Sequence, residues 1–196
     1  MDPIFAALRA DIRRTYDLLE GGRVRRAVDC ARTPGVQALA VYRLGQWLGR
    51  RHALARVFLE PFFLVAQFLV RVMWGIELPR AARIGPGLYI GHFGGIIVSP
   101  QAVIGAHCSL SPGIIIGLSG QGDRLGVPVI GDGVYIAPGA KVIGRIRIGD
   151  NVKIGANAVV YRDIPDNAIV ALDPGYRIIS FSGNVSSHAR KADLAA

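Results

Sequence analysis

The sequence predicts an α+β chain in which N-terminal helices precede a parallel β-helix of about four coils and a C-terminal tail. Three observations carry this. Ile130, Ile136, Val142, Ile148, Ile154 and Val160 recur every six residues, and Val98, Ile104, Leu110 and Ile116 keep the same beat after Ile84 and Ile90 begin it. Gly often follows directly, as in Ile104-Gly105, Ile130-Gly131 and Ile148-Gly149. Before residue 76 the apolar spacing is helical instead.

The elements follow in order. Asp2-Pro3 sets an N-cap before a proline at the first helical position, and Phe5, Leu8, Ile12, Tyr16 and Leu19 keep helical spacing until Gly21-Gly22. Thr33-Pro34 starts a second helix with Leu39, Tyr42 and Trp47 near one face. Ala53 to Trp74 makes a third, expected to bend at Pro61. From Ile84 each repeat residue and the residue two places before it should face inward, because alternate strand residues point the same way. Three faces then close a triangular coil of about eighteen residues. Twelve faces, from residue 84 to residue 160, make the four coils. The segment from Asp166 to Ser180 is read as a cap on the far end of the prism.

Two breaks interrupt the beat. Ile90 to Val98 gains two residues and holds His92. Ile116 to Ile130 gains eight and holds Gly120-Gln121-Gly122-Asp123-Arg124, expected to protrude as a loop beside a neighbouring prism. The expected organisation is a helical capping and oligomerisation region over 1–76, the prism over 77–180 and a mobile polar tail over 181–196.

Hydrophobic residues make up 51% of the 196, so a disordered chain is excluded. The net charge is +9, and the excess sits in the first half, where residues 1–83 hold fourteen Arg against seven acids. Such a half suits an anionic membrane face, an acidic polymer or a phosphate-bearing ligand, or is a solvated helix surface. No helix-turn-helix, zinc spacing or aromatic platform points to nucleic acid. Cys30 and Cys108 form no framework, and Cys108 falls on an inward repeat position. With Asp2, Arg9 and Asp11 interrupting any early apolar run, a cytoplasmic protein is expected. The apolar stretch over 57–76 is interrupted by Glu60, Pro61 and Arg71, leaving Phe62 to Val70 as its longest clean core. It reads as a helix packed in an oligomer or lying on the inner membrane surface, too short to span.

Among the four histidines, His52 lies in a basic helical stretch, His107 beside Cys108 and His188 in the tail. His92 stands in an irregular corner between Gly91 and Gly94-Gly95, which let another molecule approach. Imidazole there is a candidate general base near neutral pH.

The run from Pro34 to Leu48, the run Ala81-Ala82-Arg83-Ile84-Gly85-Pro86-Gly87-Leu88-Tyr89-Ile90-Gly91-His92 and the following Gly94 to Val98 resemble bacterial serine acetyltransferases. Ile130 to Val134 and Lys153 to Val160 resemble hexapeptide-repeat acyltransferases generally. The resemblance implies a left-handed β-helix, a homotrimer with pairing of trimers left open, and acetyl-CoA bound between adjacent prisms. It implies that His92 takes a proton from an acceptor hydroxyl and that Glu77, where the family has Asp, orients the ring. Gly117 is a candidate oxyanion donor. Ala137 and Ala156 are candidates for making room for the pantetheine arm, and Lys141, Lys153 and Arg177 are candidate phosphate partners.

The chain departs from that family where the acceptor binds. Gly91 stands where the family has an Asp, and Asp123-Arg124 is followed by Leu125-Gly126 where the family has a histidine. Gly91, Asp123 and Arg124 are the candidate acceptor-contacting residues. Recognition of a zwitterion without its polar partners loses discrimination. The expected activity is therefore acetyl-CoA-dependent O-acetylation of a sugar hydroxyl on a surface polysaccharide or its precursor. Serine O-acetylation for cysteine biosynthesis is the alternative, and a non-catalytic trimeric scaffold the second. A three-histidine metal site, as in hexapeptide-repeat carbonic anhydrases, lacks donors, since the prism offers only His92 and His107. No metal is expected.

Overall fold

The computed structural model describes residues 2–122 and 125–172. Arg177, Asp123, Arg124 and the expected tail lie outside the described residues, as does the capping segment beyond Leu172. Four helices come first: α1 Pro3–Leu18, α2 Arg23–Arg32, α3 Pro34–Gly49 and α4 Ala53–Trp74. Asp2 caps α1 as expected, its carboxylate accepting from Ile4 N at 3.0 Å. The buried face of α1 differs from the expected one: Ile4, Asp11 and Thr15 are buried, while Phe5 and Ile12 are exposed. That face meets the polar backbone of the first coil, so polar side chains are the ones it buries. Helix α2 has no counterpart in the sequence reading. Its Val24 and Val28 are exposed and only Cys30 is buried, so no apolar stripe announces it. Helix α4 continues through Pro61 for 22 residues. Pro61 lies on the exposed side, where the carbonyl that loses its partner faces outward.

The prism follows. Its first face stacks Ile76–Glu77, Ile96–Val98, Ile115–Gly117, Lys141–Ile143 and Val159–Val160. The second stacks Arg83–Ile84, Val103–Ile104, Val129–Ile130 and Arg147–Ile148, and the third Ser109–Leu110, Tyr135–Ile136, Lys153–Ile154 and Ile169–Val170. All pairings between these strands are parallel and join one coil to the next, as in Val103 with Val129 and Ile104 with Ile130, giving a left-handed β-helix. The winding begins at Ile76 and reaches Val170, so it extends a strand beyond each end of the expected twelve faces. Its first strand lies across the expected boundary at 76/77.

The six-residue beat is the core. Ile116, Ile130, Ile136, Val142, Ile148 and Ile154 are buried, and so are the partners two places earlier, among them Val134, Ala140 and Val152. Repetition also governs one corner. Ala106 N donates to Asp132 Oδ1, Asp132 N to Asp150 Oδ1 and Asp150 N to Asp166 Oδ1, at 2.7 to 2.8 Å. This ladder explains the Ile-Gly-Asp pattern: a Cβ at Gly131 would collide with Asp150 Oδ1 of the next coil. The glycine is there for space.

Polar bonds dock the helices on the first coil. Arg43 Nε donates to Asp11 Oδ2 at 2.9 Å, with both side chains buried. The same guanidinium donates to Ile84 O at 2.8 Å and Gly85 O at 2.7 Å, while Asp11 Oδ1 accepts from Leu88 N at 2.9 Å. Burial pushes the Asp11 carboxyl upward, and Arg43 and the backbone bonds pull it back. Tyr42 Oη donates to Ala82 O at 2.7 Å, and Arg14 donates to Gly87 O and Cys108 O. Three residues that composition counts as ordinary surface charge (Asp11, Arg14 and Arg43) thus fix the helical region on the prism.

Candidate functional site

His92 lies on the edge where the third face turns into the first. Four successive rungs align there: Gly94 N donates to Trp74 O, Gly113 N to Gly94 O, Gly139 N to Pro112 O and Asn157 N to Pro138 O, all at 2.8 to 2.9 Å. The two extra residues of this corner swell it outward just before that ladder, and His92 is exposed. The bulge is pinned from behind. Phe93 meets Trp74 edge-on with ring centroids 5.4 Å apart, and Trp74 Nε1 donates to Gln37 Oε1 at 3.1 Å. Gln37, Trp74 and Phe93 had no role in the sequence reading. Their signal was present only as aromatic residues beside the corner and a lone amide on α3.

Gly91 is tightly overlaid. A Cβ built there would lie 2.6 Å from Tyr89 Oη, so the phenol occupies the space into which any side chain at 91 would project. Residues 89 and 91 point the same way, because they are two apart on an extended strand. A phenol hydroxyl therefore fills the side-chain position that precedes the candidate base.

Of the other expected site residues, Ala137, Lys141 and Ala156 share the edge of His92. Ala137 is buried and Ala156 exposed. Lys141 Nζ donates to Gly113 O of the preceding coil, which draws its charge onto the edge's own backbone. Lys153 is exposed on the adjoining third face, 5.7 Å from the Tyr135 ring centroid. Glu77 is exposed on the first face in register with Ile97, three residues beyond the rung of Gly94. Among the described residues no hydrogen bond joins Glu77 to His92. It lines a cleft with Phe68, Arg71, Pro79 and Pro100.

Gly117 lies at the other end of the first face, where Gly144 N donates to Gly117 O at 3.2 Å and the eight-residue insert departs. The insert closes as a small hairpin, with Ser119 and Gly126 exchanging backbone bonds of 3.0 and 3.1 Å. Beneath it opens a groove of about 740 Å³ lined by Ser119, Gly120, Gly144, Arg145, Tyr161 and Arg162. The sequence reading missed this groove, because its walls come from three different coils. His92 and the insert thus stand at opposite edges of one face and do not meet within one chain. His107 stands at a third place, the corner between the second and third faces, where its N–H donates to Pro86 O.

Residues 128–162 match the model of the bacterial transferase hexapeptide (six repeats) family. A serine acetyltransferase of Helicobacter pylori is 38% identical over 135 residues, covering 67% of this chain and 74% of that protein. The chain belongs to the hexapeptide-repeat transferases, on their serine acetyltransferase side. A serine acetyltransferase of Synechococcus elongatus is 37% identical over 150 residues, and there the match takes in 76% of this chain but 59% of the relative. The serine acetyltransferase of Brucella abortus strain S19, solved in complex with coenzyme A, superposes with a TM-score of 0.72 at 32% identity, covering 93% of this chain and 70% of that one. These relatives favour serine, the alternative acceptor expected from the sequence, over a polysaccharide hydroxyl.

Proposed function

We propose that the protein is an acetyl-CoA-dependent O-acetyltransferase that works as a homotrimer, with L-serine as the leading acceptor. The observation that supports this best is His92, exposed on the edge of a hexapeptide prism in a chain of the serine acetyltransferase side of the family. His92 accepts the acceptor's hydroxyl proton while that oxygen attacks the thioester carbon. The tetrahedral oxyanion is met by backbone N–H donors at the insert edge, in the region of Gly117. Collapse expels the coenzyme A thiolate, which takes the proton back from the imidazolium. Glu77 is the carboxylate assigned to orienting the ring. The groove under the insert, with Arg145 and Arg162 on its wall, takes the phosphate-bearing end of the coenzyme. Since His92 and that groove lie on opposite edges of one face, a site containing both needs two copies, and a three-fold arrangement supplies that contact three times.

One observation favours a second acceptor. Tyr89 fills the space over Gly91, so the position preceding His92 offers a hydroxyl and no carboxylate. A neutral polyol, such as a sugar, suits that pairing better than the ammonium of serine. The deciding experiment supplies acetyl-CoA with L-serine or with a panel of hexoses and follows release of free thiol. Acceptor-dependent release with serine supports the first reading. Release with sugars alone supports the second, and no acceptor-dependent release from any of them overturns the transferase reading.

A further inference from the structure

Helix α4 presents an outer surface that nothing else in the described chain covers. At 100° per residue, Phe63 and Val70 define the inward direction, and both are buried, at 3% and 9% exposure. The opposite half of the helix carries Leu54, Val57, Phe58, Phe62, Val65, Phe68, Leu69 and Val72, every one of them exposed. Together with Pro61, Leu64 and Met73 they make an arc of about 180° with no polar side chain in it. The polar residues of α4 (Arg56, Glu60, Gln67 and Arg71) all project along one flank, between that arc and the packed face.

The unpaired charges around this arc are positive. Arg50 and Arg56 stand at the start of the helix and Arg71 at its end, all exposed, while Arg51 is paired with Asp2 at 3.4 Å. The acid of the helix, Glu60, is paired with Arg80 at 2.7 Å. A broad apolar arc rimmed by arginines is the pattern of a helix that lies in the headgroup boundary of an anionic bilayer. A partner helix would cover a narrower stripe. By length and composition α4 also passes as a spanning helix, but its inner face is committed to the protein. Phe63 and Val70 are packed there, Arg80 lies 5.3 Å from the Phe63 ring centroid, and Gly75 leads straight into the first strand. A helix held at Phe63 and Val70 and continued directly into the first strand lies on a membrane rather than across it.

We propose that the outer face of α4 docks the protein on an anionic lipid surface, with Phe58, Phe62, Val65, Phe68 and Leu69 entering the acyl boundary and Arg50, Arg56 and Arg71 meeting the phosphates. This stands apart from the transferase reading and survives its failure. The test is flotation of the full chain with vesicles of phosphatidylcholine alone or mixed with phosphatidylglycerol. The expected result is binding to the mixed vesicles at least tenfold above that to phosphatidylcholine, weakened by high salt. The double variant V65E/F68E should lose at least tenfold of that binding with an unchanged circular dichroism spectrum. Should the variant misfold, R50E/R56E gives a second reading, with loss of the preference for anionic vesicles expected. Wild-type protein that stays with the buffer beside mixed vesicles overturns the proposal. So does a shift of V65E/F68E to a smaller oligomer in light scattering without vesicle binding by wild type, which would assign the face to a second copy of this chain.

Discussion

In the prism, Leu110, Ile116, Ile136 and Ile154 are buried among other aliphatic side chains, and every coil solves the packing problem in the same way. In the helical region, the groups that hold the junction are Asp11, Arg43 and Tyr42, buried and bonded to main-chain atoms of residues 82–88. The first region repeats a cheap apolar solution. The second uses a polar one, once, because helices docking on the end of a coil meet unpaired backbone groups that apolar side chains would leave unsatisfied. Stability in the prism should therefore be shared among coils, while the junction should depend on a few atoms. His92 stands where the two regions meet, on a bulge stacked against Trp74 of the helical side and hydrogen-bonded onward along the prism edge.

The sharpest way to separate chemistry from stability at that meeting point is His92→Ala. The side chain is exposed, so the melting temperature should stay within about 2 °C of wild type. Acceptor-dependent thiol release should fall by about 10²- to 10⁴-fold if the ring is the base. Retention of wild-type turnover would remove His92 from the mechanism.

Asp11→Ala should cost about 3 to 5 kcal/mol in urea unfolding, because it leaves the Arg43 guanidinium buried without its carboxylate. The double change Asp11→Leu with Arg43→Met should recover part of that loss. A loss below about 1 kcal/mol for Asp11→Ala would show that the junction does not rest on this pair.

Ile136→Ala removes an aliphatic side chain with no exposure from the middle coil, and should cost about 2 to 4 kcal/mol without any such rescue. Hydrogen exchange would tell the two regions apart. Faster exchange is expected in the coils next to Ile136, with the helices protected as before.

The smallest effect is alkaline. Burial pushes the Cys108 thiol up to about 11, against an ordinary value of 9.0. Below pH 9 folded and unfolded chains both hold that proton. Above it the unfolded chain releases its proton first, so stability should fall by about 1.4 kcal/mol per pH unit. Tyr42, pushed up to about 12 from 10.0, joins above pH 10. Cys108→Ala should flatten the fall between pH 9 and 10, and an identical slope in wild type and variant would contradict the burial argument.

The prism was legible because its geometry is periodic. A strand that alternates and a corner that recurs every six residues leave a linear trace in the order of Ile, Val and Gly. The bulge at His92 was legible for the same reason, as a departure from the beat. The helices were read less well. Helix α1 buries Asp11 in place of the expected Ile12, and α2 buries little besides Cys30, because what these helices pack against is a polar coil end and solvent. The tie of Gln37 and Trp74 to Phe93, the phenol over Gly91 and the groove beneath the insert join residues far apart in the chain, and no spacing rule brings them together.

By itself the order of residues determined the coil, its inward positions, the two places where the coil is interrupted and the histidine in the first of them. These follow from local geometry, in which each residue's direction is set by its neighbours along the strand. Only the tertiary structure decided that the two interruptions stand on opposite edges of a face, that Arg43 is a buried clamp, and that the outer half of α4 is left bare. Those depend on which surfaces meet after the chain winds back on itself, and winding brings together atoms that the sequence keeps apart.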